Sequence, residues 1–189
     1  MKTKIISIFA LLLSFATNAM AQKDVTNTWQ LKVDAGMYMD FVKHEGASNR
    51  DEAIVADLGV GYNFNHHLYA GLATGFWYSC GVGPQANLVP VMADLGYNFC
   101  TKTARLVPFV NLRAGYGVAI NKTKDYWATL DSNMPNYGIL ELQPGLLYRF
   151  DDLVDFRASV SATQLFKSGS TLGQNQTNFG IRLGLNFHF

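Results

Sequence analysis

Apolar residues recur at every second position over long stretches of this chain, and this period of two limits its fold more than any other feature. Between Trp29 and Phe41 every odd-numbered position is apolar, whereas the even-numbered positions include Gln30, Lys32 and Asp34. Because side chains alternate between the two faces of a β-strand, the pattern predicts a strand with one apolar face. The stretch is longer than the five or six residues of an average soluble strand and matches a tilted strand that crosses a membrane.

The same alternation recurs along the chain and predicts eight strands. They cover 29–41, 54–64, 68–78, 89–99, 110–120, 140–150, 156–163 and 179–189. The predicted connections alternate between short turns (65–67, 100–105, 151–154) and long polar loops (42–53, 79–87, 121–136, 167–177). This alternation is typical of outer-membrane barrels. The sequence therefore predicts an all-β fold, an eight-stranded antiparallel up-and-down transmembrane β-barrel with both chain ends on the short-turn side.

The first 21 residues have the three parts of an export signal. Lys2 and Lys4 precede an apolar run from Ile5 to Phe15, and small residues surround a cleavage site after Ala21. The apolar run is too short to span a bilayer. We therefore expect a signal peptide at 1–21 and a mature barrel domain at 22–189.

The alternation of apolar and polar residues does not by itself determine which face of the barrel contacts lipid. A soluble barrel would also alternate, with apolar residues around a ligand cavity. Aromatic pairs, however, recur on the apolar face at the short-turn ends of the even strands, where they would form a girdle at the headgroup layer. The predicted girdle comprises Tyr62, Phe64, Tyr97, Phe99, Tyr148, Phe150, Phe187 and Phe189. Charged residues make up only 15% of the chain, against about 25% in soluble domains, which also favours a lipid-facing exterior.

The mature chain resembles the small outer-membrane β-barrel family of Gram-negative bacteria, the OmpA/OmpX type, and its final segment LGLNFHF resembles that family's terminal-Phe signature. The resemblance implies that the barrel-assembly machinery reads the last strand through Leu183, Leu185, Phe187 and Phe189. It also implies a cell outer-membrane location among lipid and lipopolysaccharide, with periplasmic termini and extracellular long loops. It does not specify a function, because the family includes structural, adhesive and enzymatic members.

Charged residues on the polar face should line the barrel lumen, five of each sign. They are Lys32, Asp34, Asp40, Asp57, Asp94, Arg113, Glu141, Arg149, Arg157 and Arg182. Opposite charges in a narrow, low-dielectric interior should pair, because an unpaired charge there costs several kcal/mol. We therefore expect a salt-bridged plug and keep a minor ion channel as an alternative.

The long loops are the predicted functional surface. One of these loops contains four large apolar or aromatic residues within a polar segment: Tyr126, Trp127, Met134 and Tyr137. They could form a contact surface for a partner such as a larger outer-membrane complex, or they could fold onto the barrel rim. A lipid A-modifying enzyme is the other alternative, but His44, Ser48 and Asp51 have no specific catalytic spacing. We therefore predict no enzymatic activity.

Residue types and charge also exclude several other classes of function. His66 and His67 fall in a turn and His188 faces the lumen, so none joins a catalytic set. Cys80 and Cys100 should be free thiols at opposite ends of a strand pair. No metal or cofactor spacing occurs. The net charge of +1 gives no basic patch for nucleic acid.

Overall fold

The computed structural model describes residues 25–40, 52–79, 87–99, 105–120, 136–150, 153–168 and 175–189. These residues form eight strands. They are β1 (Thr28–Asp40), β2 (Glu52–Asn63), β3 (Leu68–Ser79), β4 (Leu88–Asn98), β5 (Leu106–Ala119), β6 (Asn136–Arg149), β7 (Val154–Ser168) and β8 (Gln176–His188). Within the described ranges, no helix has the length and apolarity needed to cross a membrane.

The strands close into a barrel in chain order. Each strand pairs antiparallel with the next, and β8 returns to pair with β1 in a register that runs from Gln30 opposite His188 to Asp40 opposite Asn178. Among the eight described strands, closure therefore leaves no edge strand, which a barrel in lipid requires. The prediction of an eight-stranded, all-antiparallel up-and-down barrel is confirmed.

The period of two separates an apolar exterior from a polar interior. Outward side chains at mid-strand are widely exposed, for example Leu72 (61%) and Ile181 (62%). Inward side chains such as Arg113 and Glu141 have no exposed surface. A continuous exposed apolar band is far larger than the patches that soluble monomers tolerate, so this exterior suits lipid better than water.

The strands β5, β6 and β7 extend beyond their predicted bounds. β5 begins at Leu106 instead of 110, β6 begins at Asn136 instead of 140, and β7 runs to Ser168 instead of 163. In these extensions the inward side chains include Phe109, Ile139 and Leu165, all of which are buried. Because apolar residues lie on the inward face there, the separation of apolar and polar faces that marks the rest of these strands is lost from the sequence.

We call the end with the chain termini and short connections the short-turn end, and the opposite end the long-loop end. The turn between β2 and β3 is held by Asn65, whose Oδ1 accepts hydrogen bonds from the backbone N–H groups of His67 (2.8 Å) and Leu68 (2.7 Å). This side chain mimics a backbone turn and so keeps the connection short. Cys80 and Cys100 lie outside the described residues.

Candidate functional site

Arg113 on β5 is the centre of a charged plug in the barrel lumen. Its guanidinium lies 2.8 Å from Asp34 and 3.1 Å from Asp57, on two strands across the lumen. It also lies 3.4 Å from Asp94 and 3.8 Å from Glu141, its direct neighbours on β4 and β6. One planar group with five N–H donors thus contacts four carboxylates, which a lysine could not do with the same geometry.

Arg182 on β8 provides the second cation of the plug. It pairs with Asp57 and lies 2.9 Å from Glu141. It also donates to the Tyr38 hydroxyl, which in turn donates to Glu141 and accepts from Thr163. Every part of this group is buried, so each polar contact replaces one that water would have made.

Lys32 and Arg157 form the side of the plug nearest the short-turn end. Lys32 lies 3.0 Å from Asp94 and 3.5 Å from the centre of the Tyr69 ring. Arg157 lies 3.4 Å from Asp34, donates to Gln143 and packs over the ring of Phe109. The plug therefore holds four cations (Lys32, Arg113, Arg157 and Arg182) against four anions (Asp34, Asp57, Asp94 and Glu141). Balanced charge is what makes so many buried ions tolerable.

Glycines on neighbouring strands make room for the charged side chains. A Cβ atom added to Gly184 would collide with the carboxylate of Asp34, and one added to Gly75 would collide with that of Asp57. An eight-stranded barrel is only wide enough for side chains to fill it, so long side chains require small residues opposite them. The glycine-rich polar face thus provides space for the plug.

An apolar cluster fills the lumen on the long-loop side of the plug, a feature that the sequence analysis did not predict. Its buried members are Tyr38, Val55, Ala73, Trp77, Leu88, Met92, Tyr137, Ile139 and Leu165. Trp77 joins the two layers, because its ring lies 5.3 Å from that of Tyr38 and its indole N–H donates to Asp57 at 2.9 Å. The signal in the sequence was the presence of Tyr137, Ile139 and Leu165 on the parity that is otherwise polar in β6 and β7.

Tyr137 belongs to this apolar cluster, so its predicted exposure on a long loop is wrong. The residue is only 5% exposed because β6 starts at Asn136, which gives position 137 the inward parity of Ile139 and Glu141. Tyr126, Trp127 and Met134, the other proposed contact residues, lie outside the described residues. So do the three residues considered for catalysis, His44, Ser48 and Asp51.

On its other side, the plug faces a polar recess that opens at the short-turn end. The recess is small, with a cavity volume of about 20 Å³. Arg149 lines this recess, away from the central ion pairs. Asp155 and His188 also line it, and Nε2 of His188 lies 2.6 Å from Oδ2 of Asp155. The sequence did not reveal this contact, because its pattern predicts a turn at 151–154 and assigns 155 to no strand. The parity that Asp155 shares with Arg157 could have revealed it. Asp40 lies on β1, but its side chain is outside the described set.

The aromatic residues predicted as a girdle lie on the outside of the barrel at the short-turn end. Phe64, Phe99, Phe150 and Phe189 are between 50% and 68% exposed. Edge-to-face contacts join the pairs within three of the strands, at centroid distances of 5.0–5.3 Å. Trp29 extends the ring, because it packs on Tyr62, its register partner on β2.

The described residues contain no cluster of histidine, cysteine, aspartate or glutamate suited to a metal ion. His67 is used structurally, since its ring stacks on Tyr97 and bonds to the carbonyl of Asn98. His188 is committed to Asp155.

Comparison with known proteins relates the chain to outer-membrane barrels. A family model for the outer membrane protein beta-barrel domain matches residues 7–187. Among solved structures, Neisserial surface protein A matches with a TM-score of 0.66 and 15% identity over 85% of this chain and 97% of that one. No match to a curated protein reaches significance.

Two barrels from Pseudomonas aeruginosa are also similar. The N-terminal β-barrel domain of OprF gives a TM-score of 0.54 at 18% identity, over 88% of this chain and all of that one. The outer membrane protein OprG gives 0.54 at 14% identity, over 91% of this chain and 99% of that one. At such identities the three structures share the fold with this chain and show nothing about its activity.

Proposed function

Because the chain belongs to the outer membrane protein beta-barrel domain family, we propose that it serves the outer membrane as a structural or interaction barrel with a sealed lumen. The observation that carries this proposal is the charge-balanced plug. Its ion pairs reach from Asp34 on β1 across to Arg113 on β5, so they span the lumen instead of lining its wall. With this plug across the described lumen, we infer that the barrel acts through its surface.

The layers on either side of the plug support a sealed lumen. The apolar cluster lies towards the long-loop end, and Val107, Phe109 and Leu147 form a smaller cluster towards the short-turn end. An ion crossing this lumen would have to leave water, pass an apolar layer and break ion pairs of 2.8–3.1 Å. This arrangement disfavours the minor channel that we kept as an alternative.

We place the termini in the periplasm and the long loops outside the cell, as the family resemblance implies. In this orientation the aromatic girdle lies at the periplasmic headgroup layer and the loop around residues 121–135 meets lipopolysaccharide and external molecules. The outward side chains of β8, ending at Phe189, would be read by the assembly machinery. The partner we propose for the loops is a protein of a larger outer-membrane complex.

A lipid A-modifying activity is the enzymatic alternative. It would need a nucleophile or general base near the outer leaflet, with a second group to orient it. In the described ranges, all three histidines (His66, His67 and His188) lie at the short-turn end. In the proposed orientation this is the wrong leaflet, so these three histidines could not serve such an activity.

Protease treatment of intact cells, followed by extraction in mild detergent, tests orientation and partner together. We expect cleavage within 121–135 and none in the tight turn at 65–67, because exposed loop tips are the preferred sites of nicking. Before cleavage the barrel should co-purify with a partner in stoichiometric amount. After cleavage, or in a variant with Tyr126 and Trp127 changed to alanine, that partner should be lost while the barrel stays folded.

The matched control is a variant with Thr123 and Thr129 changed to alanine, polar positions of the same loop. It should keep the partner. Cleavage at 65–67 on intact cells would contradict the orientation. A barrel that purifies alone before cleavage would contradict the interaction role and leave a purely structural one.

A further inference from the structure

The last strand ends in a chain of side-chain hydrogen bonds that runs inside the barrel mouth. Nε2 of His188 on β8 lies 2.6 Å from Oδ2 of Asp155 on β7. Its other ring nitrogen, Nδ1, lies 3.5 Å from the side-chain amide of Asn63 on β2. That amide donates to the Thr28 hydroxyl on β1 at 3.1 Å, and the hydroxyl donates to the carbonyl of Val25 at 2.6 Å.

This chain of contacts spans the seam where the barrel closes. β8 and β2 are not neighbours, because β1 lies between them, so His188 reaches across the first strand of the barrel. The contacts therefore join four strands and the segment before β1. We propose that Asp155, His188, Asn63 and Thr28 form a closing lock that prevents the two chain ends from separating once the barrel has formed.

The position of the lock explains why it is needed. The backbone pairing of β1 with β8 finishes at Trp29 and Phe189, whose N–H groups and carbonyls bond to each other at 2.9 and 3.0 Å. The final pair of a ladder frays easily, because no further pair lies beyond it. Chain ends are ordered when they are tied down, and a buried hydrogen bond to a charged group is one of the stronger ties available.

Burial makes the lock effective. Asp155 is 2% exposed, Asn63 3% and His188 6%. Breaking the contact between His188 and Asp155 would leave a carboxylate in the recess with one partner fewer, so the open state is penalised. The two faces of β8 thus have separate roles. Phe187 and Phe189 face outward to the membrane, whereas His188 faces inward to the lock. This inference concerns how the barrel stays closed and does not depend on the proposed surface role.

Amide hydrogen exchange of the full mature protein in lipid nanodiscs tests the lock. In His188→Ala and in Asp155→Ala, the amides of Trp29 and Phe189 should exchange at least tenfold faster than in the wild type. The double variant should be no faster than the faster single one, because the two changes break the same contact. Amides in the middle of β8 should be unaffected.

Thr177→Val is the matched control, since it removes a side-chain hydrogen bond of 2.6 Å to Gln164 between the same two strands at the long-loop end. It should leave Trp29 and Phe189 unchanged. If His188→Ala does not fold, Asp155→Asn, which keeps the volume and an acceptor oxygen, should still accelerate these two amides about fivefold. Unchanged exchange in the folded lock variants, or equal acceleration in Thr177→Val, would overturn the lock.

Discussion

Replacing Arg113 with methionine should lower the free energy of unfolding by about 3–5 kcal/mol, because removal of one partner leaves buried charges uncompensated. The variant would leave three cations against the four carboxylates of the plug, and Asp34 would lose a contact of 2.8 Å. Methionine keeps much of the length and volume of arginine, so the decrease in stability would result from the missing charge and not from a cavity. Urea unfolding in lipid vesicles, followed by tryptophan fluorescence, measures it.

A second variant separates charge balance from packing. Adding Glu141→Gln to Arg113→Met restores three cations against three anions and leaves Lys32 with Asp94, Arg157 with Asp34 and Arg182 with Asp57. The double variant should therefore be more stable than Arg113→Met alone by at least about 1 kcal/mol, since close charges couple at that scale. Leu112→Ala, which changes the lipid-facing neighbour of Arg113 on β5, serves as the control for a local strand perturbation. If Arg113→Met costs less than about 1 kcal/mol, or if adding Glu141→Gln deepens the loss, the plug is not held by balanced charge.

The second large effect should come from an arginine on the outer face. Leu183→Arg should cost about 2–4 kcal/mol in lipid, the range for a charged residue at the bilayer midplane of a barrel. Leu183 lies about 13 Å along β8 from Phe187 of the girdle. For a strand tilted by about 35–45° this is about 10 Å along the membrane normal, which puts Leu183 near the middle of an apolar band about 25 Å tall. It is 51% exposed and faces away from every charge of the plug.

Phe150→Arg provides the matched comparison, because Phe150 lies in the girdle and is 62% exposed. A charge near the headgroup layer should cost only about 0–1 kcal/mol. A soluble barrel would accept both substitutions within about 0.5 kcal/mol, as surfaces in water do. Equal costs at the two positions would therefore contradict a lipid-facing exterior with the girdle at its edge.

The strands could be predicted from the sequence wherever one face of a strand is apolar and the other is polar. Lys32, Asp34 and Asp57 alternate with Leu31, Val33 and Leu58, so both the strand and its inward face could be read directly. The strand count, the order of pairing and the short connections followed from the same pattern. The individual ion pairs could not be predicted, because pairing across the lumen depends on the register between strands that are far apart in the chain.

The strand was missed where the inward face is apolar. At Tyr137 and Ile139 the inward side chains build the apolar cluster, whereas the outward residues are Asn136 and Gly138, so the apolar parity is opposite to that of the rest of β6 and the segment resembled a loop. The first residues of β5, Leu106 to Phe109, were missed because they are apolar on both faces. Asp155 was missed for a different reason, since the acidic stretch before β7 has the composition of a turn.

The sealed lumen is tested most directly by the ionic current through the purified protein in a planar bilayer. With Lys32, Arg113, Arg157 and Arg182 paired across the lumen, we predict that the wild-type barrel adds no steps to the current of the bare bilayer. Regular steps that scale with the amount of protein and change in size in a Lys32→Gln variant would show an open pathway past the plug, and would contradict the sealed barrel.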